Sequence, residues 1–152
     1  MRTLAQVTIM AALALAGSGC ATSPLQKSSS ALLGAWYGEA TVVESHERGD
    51  NINIRTADGR YVAYFRICEA NQQQSLSIET GRWNLKGKVE TTVTETLNGV
   101  QVDASDPYFH ETYRFESLSG PILTYTSVKE SEVFHAMRVD DHTRIPDNVC
   151  HK

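Results

Sequence analysis

From Leu33 to Val139 apolar and polar residues alternate with a period of two, and turn residues break the alternation at short intervals. Half-buried antiparallel strands produce this pattern, because successive side chains leave a strand on opposite faces. The breaks have the matching chemistry: Asp58-Gly59 and Asn98-Gly99, with Lys86-Gly87 as a third, supply the positive φ values of tight hairpin turns. Strands are therefore expected at Leu33 to Val43, Asn51 to Thr56, Arg60 to Glu69, Ser75 to Leu85, Lys88 to Leu97, Tyr108 to Ser117, Ile122 to Val128 and Glu132 to Val139. No break is long enough for a crossover helix, so neighbours in sequence are expected to pair. Eight short antiparallel strands leave two open edges unless the sheet closes on itself. The expected fold is all-β, an eight-stranded antiparallel up-and-down barrel over residues 31–139. A barrel of this size is either filled by side chains or holds one small ligand.

Alternation does not say which face is inside. In the third strand Tyr61, Ala63, Phe65 and Ile67 share one side, while Val62, Tyr64 and Cys68 make the other nearly as apolar. Thr91, Thr92, Thr94 and Thr96 read as good strand formers on a wet face.

The N-terminal residues follow different rules. Arg2 is the only charge before Cys20, and an apolar run from Val7 to Ala16 ends in small residues. This is the layout of a cleaved export signal, and the run is shorter than the roughly 20 residues of a membrane-spanning helix. The segment Leu15-Ala16-Gly17-Ser18-Gly19-Cys20 resembles a bacterial lipobox, with Gly17 in place of the usual aliphatic residue. That resemblance implies cleavage of residues 1–19, a diacylglycerol on the Cys20 thiol and a further acyl chain, such as palmitate, on the new amino group. Several chains would hold the protein firmly to a bilayer. Ala21 and Thr22 after the cysteine point to the bacterial outer membrane, with the protein facing the periplasm. Residues 20–30 form the lipidated cysteine and a polar tether containing Pro24.

The chain carries 14 basic and 18 acidic residues, a net charge of −4 that becomes −5 when Arg2 leaves with the signal. With no basic run, nucleic acid is excluded as a partner. Cys68 and Cys150 remain once Cys20 is assigned to lipid. In an oxidising periplasm they are expected to pair and pin the tail 140–152 to the domain, the alternative being two free thiols.

The first strand opens with Gly34-Ala35-Trp36 after a short apolar Ala31-Leu32-Leu33, and Arg138 stands on the last. In these features the chain resembles the lipocalin-like, calycin-type barrels found in some bacterial lipoproteins. The resemblance implies that Trp36 closes one end of the barrel and that Arg138 lies across its ring, both as structural residues.

Nothing in the sequence points to catalysis, a cofactor or a metal. No two histidines share a ligand-like spacing, and Asp140-Asp141-His142 reads as an exposed tail. No Gly-x-Ser-x-Gly elbow is present. Aromatic residues are spread over most strands, filling the barrel or lining a cavity. The candidate ligand-binding residues are Tyr61, Phe65, Trp83 and Tyr113, with Arg66, Arg82 and Arg114 to meet an acidic head group inside. The expected function is non-enzymatic binding or carriage of a small apolar or amphipathic molecule. The alternative is a filled barrel that engages or inhibits another envelope protein.

Overall fold

A computed structural model of the chain describes residues 29–42, 47–69, 72–73 and 76–147. The expected signal 1–19, Cys20, most of the tether, and the tail from 148 onward with Cys150 lie outside the described residues.

The strands are β1 (Gly34–Val42), β2 (Glu47–Arg55), β3 (Arg60–Glu69), β4 (Gln72–Gln73), β5 (Ser77–Lys86), β6 (Val89–Leu97), β7 (Val100–Gln101), β8 (His110–Ser119), β9 (Ile122–Ser127) and β10 (Val133–Val139). Eight long strands pair antiparallel in chain order, and β1 closes the circle by pairing with both β2 and β10. The result is a closed up-and-down barrel, as the alternation requires. The two short strands extend hairpins, β4 on β3 and β7 on β6. The β6–β7 turn places both Asn98 and Gly99 at positive φ, 51° and 78°, which matches the twist of the flanking strands.

Register fixes the faces. Trp36 lies opposite Asn53 and Arg138, Asn53 opposite Ala63, and Ala63 opposite Glu79. The inward set on β3 is Tyr61, Ala63 and Phe65, while Ile67 is exposed at the rim. One end of the interior is filled by Leu32, Trp36, Trp83, Phe115, Leu123 and Ala136, with Leu33 and Leu85 packed against them. Burial of side chains of this size contributes about 1.5–3 kcal/mol each.

Trp36 explains the Gly-x-Trp opening physically. Its indole N–H donates to Leu32 O at 2.9 Å, and the Arg138 guanidinium lies 4.3 Å from its ring centroid. Arg138 also donates from Nη1 to Leu33 O at 2.8 Å and from Nη2 to Ala31 O at 2.5 Å. Gly34 has φ +90°, and a Cβ there would lie 3.2 Å from Arg138 Nη1. Both the backbone conformation and the approaching guanidinium therefore favour glycine.

A second apolar cluster lies outside the barrel wall. Ala35, Ile52 and Cys68, with Tyr37, Ile54, Tyr64 and Val139 beside them, are covered by Ile145. The segment after β10 folds back over β1–β3 and buries Ile145, while Asp140, Asp141 and His142 are exposed, as expected. Asp141 Oδ1 accepts the Ala35 N–H at 3.1 Å, and Asp147 Oδ1 accepts from Arg66 Nη1 at 3.1 Å. This covering explains why β3 is apolar on both faces.

Candidate functional site

Toward the other end the barrel is hollow. A cavity of about 230 Å3 is bounded by inward residues of β2, β3, β5, β6, β8, β9 and β10. Phe65, Glu79, Glu111 and Phe134 at this end are partly exposed, so the cavity communicates with solvent.

The aromatic part of the wall is built around Tyr125. Tyr113 meets it edge-on at 5.4 Å between centroids, and Phe134, its cross-strand partner on β10, stacks on it at 5.4 Å with 25° between planes. Tyr61 and Phe65 contribute from β3. Burial pushes the hydroxyls of Tyr113 and Tyr125 well above the usual tyrosine range and that of Tyr61 up to about 12, so all three stay neutral donors at physiological pH. Tyr61 lies against Gly81, where the β5–β6 register shifts between Thr80 and Gly81. A Cβ at Gly81 would stand 2.9 Å from Tyr61 Cε1 and 2.0 Å from Val93 O.

The polar part is a connected set. Tyr61 Oη and Thr94 Oγ1 are 2.7 Å apart, and the Thr94 hydroxyl donates to Glu79 Oε2 at 3.1 Å. Desolvation raises the Glu79 carboxyl above its ordinary value, and the charge of Glu111 adds to this against the hydrogen bond from Thr94. Arg55, also on the cavity wall, reaches Glu90 with a two-point contact: Nε to Oε1 at 2.5 Å and Nη2 to Oε2 at 2.9 Å. This pair is 4% and 0% exposed, which makes it the most deeply buried ion pair among the described residues. Asn53 Oδ1, also on the cavity wall, is buried without a hydrogen-bond partner.

Tyr61, Phe65 and Tyr113 are thus brought together on the cavity wall, whereas Trp83 lies in the closed end and donates its indole N–H to Thr56 O at 3.0 Å. The three arginines expected inside are corrected by register. Arg82 and Arg114 face solvent and pair with Glu95 at 2.8 Å and Glu116 at 2.9 Å. Arg66 lies under the returning segment, on the outer side of β3. The wet-face reading of the threonine strand is corrected too, since Thr92 and Thr94 are buried and line the cavity. Sequence reasoning missed Arg55, Glu79, Glu90 and Glu111. The available signal was the parity of Glu79 with Trp83 and of Glu111 with Tyr113, which polarity masked; Arg55 and Glu90 share a strand with none of the aromatic candidates. Among the histidines, His110 Nε2 lies 2.8 Å from Ala104 O and His135 Nδ1 3.1 Å from Thr124 Oγ1, both exposed and on separate strands.

A scan against models of known protein families finds no match, and a search of the curated proteins finds no similar sequence.

Proposed function

We propose that this is a lipid-anchored protein of the bacterial envelope whose lipocalin-like barrel binds or carries a small amphipathic molecule without transforming it. The observation that carries this reading is the cavity of about 230 Å3, walled on one side by aromatic rings and on another by carboxylates and hydroxyls. Ligand sites combine apolar walls with a few placed polar groups in this way, and this one lies below the roughly 300–1,000 Å3 of drug-sized sites, so its occupant is small. The calycin-type assignment is supported by the closed eight-strand circuit and the Arg138–Trp36 contact. The anchor is supported by the lipobox-like residues ending at Cys20. Outer-membrane attachment facing the periplasm is the corresponding location.

Native mass spectrometry of protein extracted gently from cells tests the binding. A small molecule should be retained by the wild type and lost from Ala63→Phe, which places a ring in the cavity. An empty wild-type protein under all extraction conditions would refute the reading. Cys20→Ala should move the protein out of the membrane fraction, and continued retention there would refute the anchor.

A further inference from the structure

We propose that the cavity selects a small organic cation, an ammonium on an aromatic or short aliphatic stem, over the corresponding neutral or anionic molecule. This rests on the cavity reading above and adds the ligand's charge. The argument is an inventory of the wall. Among the described residues its one cation is Arg55, whose Nε and Nη2 donors are committed to Glu90, so its charge is already compensated and the two-point edge that best holds a carboxylate is taken. The carboxylates of Glu79 and Glu111 remain, both partly exposed at the mouth side of the same cavity; Glu111 also has the solvent-exposed Lys129 Nζ 3.7 Å from its Oε1, a screened pair, so Glu79 is the carboxylate with no cationic partner among the described residues. With Arg55 and Glu90 cancelling, the wall carries excess negative charge, and a second anion entering it would meet repulsion in a partly desolvated site.

The remaining surface also suits a cation. Tyr61, Phe65, Tyr113, Tyr125 and Phe134 line the space with five aromatic rings, and aromatic rings attract ammonium groups most strongly where water is excluded. Asn53 Oδ1 adds a buried acceptor without a partner, which an N–H donor would satisfy and a carboxylate would not. Charge, π surface and the unmet acceptor all favour the same ligand class.

Three probes that share an apolar body separate the possibilities: 2-phenylethylamine, 2-phenylethanol and 3-phenylpropanoate, titrated calorimetrically into the full-length protein. The amine should bind at least about tenfold more tightly than the carboxylate, the scale set by a close charge pair in a partly buried site. Glu79→Gln and Glu111→Gln should each shrink the amine's advantage over 2-phenylethanol, measurable binding of the alcohol serving as the check that the cavity is intact. Equal or tighter binding of 3-phenylpropanoate would overturn the proposal while keeping the cavity as a ligand site. So would an amine-to-acid ratio that neither substitution alters. Binding of none of the three would overturn both this inference and the cavity reading beneath it.

Discussion

The Arg55–Glu90 pair offers the sharpest test of how this barrel is held together. Both side chains are essentially without solvent, and two hydrogen bonds align the guanidinium with the carboxylate. Glu90→Gln keeps the shape but leaves Arg55 charged and unpaired, and Arg55→Met leaves Glu90 in the same position. Removing one partner of a buried pair costs about 3–5 kcal/mol, because the orphaned charge keeps its desolvation penalty. At about 3 kcal/mol, Tm should fall by roughly 10 °C in a domain of this size. The double variant Arg55→Met/Glu90→Leu removes both charges and should return to within about 1 kcal/mol of the wild type or exceed it. Urea unfolding with unchanged m-values compares all four proteins. Single variants that cost under about 1 kcal/mol, as an exposed pair would, would refute the argument. A double variant as unstable as either single one would refute it equally.

Gly81→Ala should destabilise the barrel by more than about 2 kcal/mol, since its Cβ would overlap Val93 O and crowd Tyr61; a thermal melt matching the wild type would exclude this. Cys68 is buried beside Ile145, and Asp147 of the same returning segment is bonded to Arg66, so we expect a Cys68–Cys150 disulfide, read as a two-hydrogen mass gain on reduction of the mature protein. The Glu79 carboxyl, raised by desolvation, favours the folded state most when protonated: its contribution is present below the unfolded pKa and is lost as pH rises through the higher folded one. The stability of the wild type relative to Glu79→Gln should therefore improve on acidification through that range, and parallel pH profiles would contradict it.

Turn chemistry and period made the architecture legible, because each is local. Arg60 to Glu69 is a strand with the expected ends, and Asn98-Gly99 turns where its φ preference dictates. Facing was less legible, for two reasons that particular residues show. Val62, Tyr64 and Cys68 look like core, yet the apolar cluster behind this face of β3 is completed by Ile145, more than 70 positions away. Conversely Arg55, Glu79, Glu90, Thr92 and Thr94 look like surface and are inward, because partners on other strands satisfy or share their polarity. Such partnerships depend on register around the closed barrel, which no single strand encodes. The arginines misled in the opposite sense: Arg82 and Arg114 alternate with apolar neighbours but point outward to Glu95 and Glu116.

The interior is divided along the barrel axis, and the division bears on why it is hollow. At the closed end Trp36, Trp83, Phe115 and Leu123 provide dense apolar burial, with Arg138 sealing the outer side of Trp36. Toward the mouth, inward positions carry Glu79, Glu111, Thr92 and Thr94 around empty space. Apolar residues filling that space would give more burial and fewer desolvated groups, so the mouth contributes less to stability than the same fold allows. A barrel serving only as a scaffold gains nothing from such an arrangement. A barrel that exchanges a charged ligand with solvent gains acceptors at the entrance and ring faces within, while the closed end keeps the wall in register. On the proposed binding function, stability and binding fall at opposite ends of one continuous sheet, so substitutions that fill the mouth should leave the fold standing and remove only the ligand.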